Sequence, residues 1–184
     1  MEDLKYLVPL VTFALGVLFT PLVESLKHKS KINQLKLDIS AELQDEFNDL
    51  AKGIKTVDKS IKTRKTKPDN FVHISLPAPI DFLVLEKHII EIYQHSTPSQ
   101  RKAYKRILDL ESNIAEKRKK VLEIFNTQNF DCLSIEKAML YEMLSLYYVM
   151  NHLLQSKDNF VFPTRGNDDV VKDAAKALQV NFPY

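Results

Sequence analysis

The stretch YLVPLVTFALGVLFTPLV, residues 6–23, carries no charged side chain. That single fact constrains the chain more than any motif does. A bilayer's hydrocarbon core is about 30 Å thick, so a spanning helix needs roughly 17–25 mostly apolar residues. Residues 6–23 reach the lower part of that range. Pro9 and Pro21 stand near the two ends, where a missing backbone donor costs least. The flanks argue against a cleaved leader. The start, MEDLK, has one lysine and two acids, and ESLKHKS follows with no small-residue cleavage pattern. An interfacial helix needs a polar face, and this stretch has none.

The segment therefore reads as a single transmembrane anchor, with the lipid bilayer as its first partner. Lysine placement predicts its orientation. Lys5 alone precedes it, whereas Lys27, Lys29, Lys31 and Lys36 follow. The positive-inside rule then puts the N-terminus outside and the remainder in the cytoplasm, at an inner or plasma membrane. Within the span Thr12, Gly16 and Thr20 recur at intervals of four and share one face. Small residues so spaced permit close approach of two helices, so this is the candidate self-association face.

Residues 24–64 read as one long amphipathic, coiled-coil-like helix. Ile32, Leu35, Ile39 and Leu43 step by three and four, and Phe47, Leu50, Ile54, Val57 and Ile61 then alternate between the two spacings. The run of fours before Phe47 resembles a stutter. A stripe this narrow requires a cover. The expected cover is the same helix in a second copy, which makes Phe47 to Ile61 an oligomerisation seam. Folding back onto the chain's own bundle is the alternative. Gly53 reads as a weak point in the helix interior. Lys55, Lys59, Lys62, Arg64, Lys65 and Lys67, opposed only by Asp58, are candidates for contact with an anionic surface. A solvated helix end is the preferred reading.

Residues 65–80 form a linker in which Pro68, Pro77 and Pro79 preclude regular helix. Val72, Ile74 and Leu76 alternate with polar neighbours, as in a short strand or extended arm, and 160–162 is a conceivable mate. Residues 81–184 then read as a helical bundle. Asp81 is expected to cap a helix whose dense apolar residues imply burial on most sides. Thr97, Pro98 and Gln100 spell a capping box with proline at the first helical position. Ser134 is expected to cap a core helix holding Met139, Met143 and Met150. Asn167 or Asp168 opens a short last helix, and the apolar ending VNFPY is expected to dock on the bundle or a partner. The fold class is thus all-α: a membrane helix, a long helix and a small cytoplasmic bundle.

The chemistry excluded is as informative. Only Gly16, Gly53 and Gly166 occur, and none has a glycine neighbour, so no phosphate-cradling loop exists. One cysteine, Cys132, excludes a C-x-x-C pair. His88, Glu91 and His95 lie roughly on one helix face, but Glu86, Lys87 and Gln94 mark that helix's ordinary polar side. No metal and no cofactor is expected. The net charge of +2 does not suit a general nucleic-acid binder. The expected role is non-enzymatic: an anchored, oligomerising scaffold or partner-recruiting subunit. The alternative is a membrane-acting effector of a bacterial toxin or anti-phage system, triggered through its bundle.

Overall fold

The computed structural model describes residues 3–66, 75–126 and 132–183; the side chains of residues 3–11, 14, 126 and 158 lie outside the description. Among the described residues the chain is all-helical, with five α-helices and no strand. They are α1 (Asp3–Thr66), α2 (Leu83–Tyr93), α3 (Pro98–Asn126), α4 (Leu133–Ser156) and α5 (Asn167–Leu178), with one 3-10 turn at Lys157–Asn159. The chain divides into two compact units, Met1–Asp38 and Ile39–Tyr184, and α1 contributes to both.

In the first unit α1 runs through Pro21 without interruption. Thr20 Oγ1 donates to the Gly16 carbonyl at 2.7 Å. Such back-bonding is the usual resting place for a hydroxyl in an apolar helix. The large apolar side chains between Phe13 and Leu26 are exposed.

The second unit is built around α4. Met139, Leu140, Met143, Leu144, Leu146 and Met150 are fully buried. Burying an aliphatic side chain of this size contributes about 1.5–3 kcal/mol, so this helix dominates the core. The C-terminal part of α1 lies against α4 and runs antiparallel to it. Phe47 stacks on Tyr147 with ring centroids 4.5 Å apart, Gly53 meets Met143, and Ser60 bonds Glu136. On another side, α3 pairs antiparallel with α4. Lys117 reaches Glu142 at 2.9 Å, and Cys132 Sγ lies 3.9 Å from the Val121 carbonyl oxygen. Helix α5 seats Val170, Val171, Ala174, Ala175 and Leu178 in the core and packs on α4.

Local signals explain some of the helix ends. The box at α3 forms as expected: the Gln100 N–H donates to Thr97 Oγ1 at 3.2 Å, and the Thr97 N–H to Gln100 Oε1 at 2.9 Å.

Other ends depart from expectation. Asp81 does not cap α2; Phe82 occupies the cap position with no side-chain bond. The carboxylate of Glu42, from α1, takes the free donors instead. Its two oxygens accept from the N–H groups of Val84 at 2.6 Å and Leu85 at 2.9 Å. A carboxylate at a helix N-terminus also meets the positive end of the dipole. Ser134 likewise does not cap α4, which starts after Cys132.

Helix α2 is not buried on most sides. Leu85 and Ile92 face the core, but Leu83 and Ile90 are 70% and 84% exposed. The expected strand falls mainly on residues 67–74, outside the described residues. Its conceivable mate, 160–162, is irregular and serves packing: Phe160 is buried and edges onto His152 at 5.3 Å.

Candidate functional site

The first candidate surface is the apolar stretch of α1. Phe13, Leu15, Val17, Leu18, Phe19, Leu22, Val23 and Leu26 are all exposed. Successive helical residues advance by about 100°, so these side chains point to every side of the helix. Up to Val23 no charged side chain interrupts them. Among the described residues no helix is long and apolar enough to cross a membrane. The expected span, residues 6–23, includes 6–11 and 14, whose side chains lie outside the described residues. On its candidate self-association face, Gly16 has open space where a Cβ would stand. Thr20 sits one turn further on, with its hydroxyl proton given to the helix backbone.

The seam is a correction. Leu50, Ile54, Val57 and Ile61 are buried inside the second unit, and Phe47 is stacked on Tyr147. The chain's own bundle covers the stripe that was expected to face a second copy. The spacing was informative about burial. It carried no information about which helix supplies the cover, because any apolar surface satisfies an apolar stripe.

The basic run is likewise not one surface. Lys55 and Lys59 are exposed on one face. Lys62 bonds Asp58 at 2.6 Å. Arg64 turns inward and donates from Nε to Glu136 Oε2 at 2.8 Å, with both side chains buried. Lys65 is exposed, and Lys67 lies outside the described residues. Arg64 is thus withdrawn from any contact with an anionic surface.

Glu136 is the polar residue that sequence reasoning missed. It is 1% exposed, and its two oxygens accept from Ser60 and Arg64, 76 and 72 residues away. No local pattern announces such a pairing.

A second polar cluster surrounds the start of α2. Glu46 accepts the Asp81 backbone N–H, with Glu42 and Asp49 nearby. Burial raises its pKa above the ordinary carboxylate value, and the neighbouring acids add to the rise. Burial also raises that of Glu111, helped by Asp81 and Glu86. A carboxyl with a raised folded pKa binds its proton more tightly folded than unfolded. The contribution of these two carboxyls to stability is therefore greatest below the ordinary carboxylate range and declines as pH rises through the raised value. We expect Glu46→Gln combined with Glu111→Gln to flatten this decline and to stabilise the chain at neutral pH. Solvent screening keeps the gain under about 1 kcal/mol per site. Chemical unfolding across mildly acidic to neutral pH checks it; an unchanged slope refutes it.

Among the described residues no group of three or more His, Cys, Asp or Glu side chains could hold a metal ion. His88 and Glu91 pair with each other at 3.1 Å, and His95 is exposed. Comparison of the chain with protein-family models, with curated proteins and with solved structures finds no match in any of the three.

Proposed function

We propose that the N-terminal stretch of α1 holds the chain in a lipid bilayer and that the bundle serves, without catalysis, as a scaffold or partner-recruiting module. The observation that carries this reading is the exposure of apolar side chains on all sides between Phe13 and Val23. Water rejects such a cylinder, and roughly 25 cal/mol per Å² of apolar surface is gained by covering it. A protein partner would cover one face; lipid covers all of them. The lysines that follow, Lys27, Lys29, Lys31 and Lys36, favour a cytoplasmic bundle. Copies assemble through the anchor, where Gly16 leaves a flat face for close approach.

The test is sedimentation. Full-length chain is expected in the membrane pellet after an alkaline carbonate wash, and chain lacking residues 1–23 in the supernatant. Intact chain in the supernatant after high-speed sedimentation without detergent overturns the proposal.

A further inference from the structure

Helix α2 turns two large apolar side chains away from the core. Leu83 is 70% exposed and Ile90 84%. Seven residues apart, they lie two turns along one face. Leu85 and Ile92 hold the opposite face against the bundle and are buried. Between the outward pair stand Glu86 and Lys87, both exposed. Neither of these side chains has an ion pair or a hydrogen bond among the described residues. At about 100° per residue, they fall to opposite sides of the line from Leu83 to Ile90.

Along the helix this face runs apolar, acid, base, apolar. Turned end for end, it runs apolar, base, acid, apolar. A two-fold rotation about the midpoint of residues 86 and 87 exchanges the ends and the sides together. It brings Leu83 against Ile90 of a second copy, and Glu86 against Lys87 of that copy, and the same pairs recur in reverse. A parallel copy would instead set Glu86 on Glu86 and Lys87 on Lys87. A lipid surface would have to take in both charges at the centre of the face, which is costly.

We propose that α2 packs antiparallel on α2 of a second copy of this chain, centred between Glu86 and Lys87. Glu86 adds to the repulsion that raises the pKa of Glu111 on α3, so an incoming lysine meets two acids. The stripe from Phe47 to Ile61 is covered by the chain itself, whereas the outward side of α2 is apolar surface that the bundle leaves open. The helix has 11 residues and is about 16 Å long. One helix pair of this length buries less than the roughly 1,200 Å² of a standard interface, so the contact is a transient one. The inference goes beyond the anchored scaffold, because it uses the second unit alone.

The experiment is directed disulfide cross-linking of full-length chain in mild detergent, at high protein concentration and low salt. One chain carries Leu83→Cys, the other Ile90→Cys and a size tag. Cys132 is buried and stays out of the reaction. Helices packed 8–10 Å apart bring facing positions within disulfide reach. The mixture is expected to give at least about five times the dimer formed by either chain alone. Equal yields from the single chains, or no cross-link in the mixture, overturns the proposal. Charge reversal tests the register independently. Glu86→Lys in both cysteine chains, or Lys87→Glu in both, is expected to cut the yield about fivefold, because like charges then face each other twice. Glu86→Lys in one chain opposite Lys87→Glu in the other is expected to restore it. Reversals that leave the yield unchanged also overturn the proposal. All four positions are exposed, so these variants keep the core intact. A chain that fails to sediment with membranes sinks the anchor and leaves this result standing.

Discussion

Replacing Glu136 by alanine is expected to destabilise the second unit by about 3–5 kcal/mol, the usual cost of removing one partner from a buried ion pair. Glu136 is 1% exposed, and the Arg64 side chain it neutralises is 8% exposed. Without the carboxylate, the guanidinium keeps its charge and stays largely shut off from water. The Ser60 hydroxyl loses its acceptor as well. Domains of this size are stable by only about 5–15 kcal/mol, so a loss of this order leaves a substantial unfolded population. Urea unfolding followed by circular dichroism measures it. Two companions sharpen the reading. Arg64→Met with Glu136→Leu is expected to recover most of the loss, because an apolar pair of similar volume removes both the charge and the need for a partner. Asp173→Ala breaks a pair that is half exposed on both sides, Arg165–Asp173, and is expected to cost less than about 1 kcal/mol. A loss under 1 kcal/mol for Glu136→Ala would mean that water reaches Arg64.

What could be read from the residues alone divides by the distance over which each feature is decided. The Thr97–Gln100 box was legible because four consecutive residues and their own backbone settle it. The apolar stripe from Ile39 to Ile61 was legible as something to be covered, and all-helical folding followed from such stripes and from scarce glycine. Its cover was not legible, since Leu and Ile bury equally well against another copy or against α4. Arg64 was misread for a related reason. In sequence it belongs to a run of cations; in space its side chain leaves that run to meet a carboxylate 72 residues on. Glu42 capping α2, and the exposure of Ile90 in a helix rich in apolar residues, depend on which neighbours arrive. Composition counts apolar residues but does not say which face receives a neighbour. For the candidate site, the N-terminal stretch was visible from the first line of sequence, whereas the outward apolar face of α2 emerges only once its neighbours are in place.

Gly53 shows how a propensity argument can point the wrong way. In an exposed helix interior, glycine costs about 1 kcal/mol relative to alanine, which made this position look like a weakness. In the fold, a Cβ at Gly53 would stand 3.0 Å from Pro77 Cβ and 3.1 Å from Met143 Cε. Glycine is what allows the segment before α2 to lie directly on α1. The two neighbours differ in how far they can yield. The methionine tip swings on three rotatable bonds, but the proline ring is fixed to its backbone. Gly53→Ala is therefore expected to be nearly neutral, its helix gain of about 1 kcal/mol offset by the displacement of Pro77. Gly53→Val adds two methyl groups at the same point and is stiff in a helix. It is expected to destabilise the second unit by about 3 kcal/mol. The contrast between the two variants, read by urea unfolding, separates sterics from propensity. If valine proves as stable as alanine, Pro77 is not seated on the helix at this point, and the path of residues 75–82 must be redrawn.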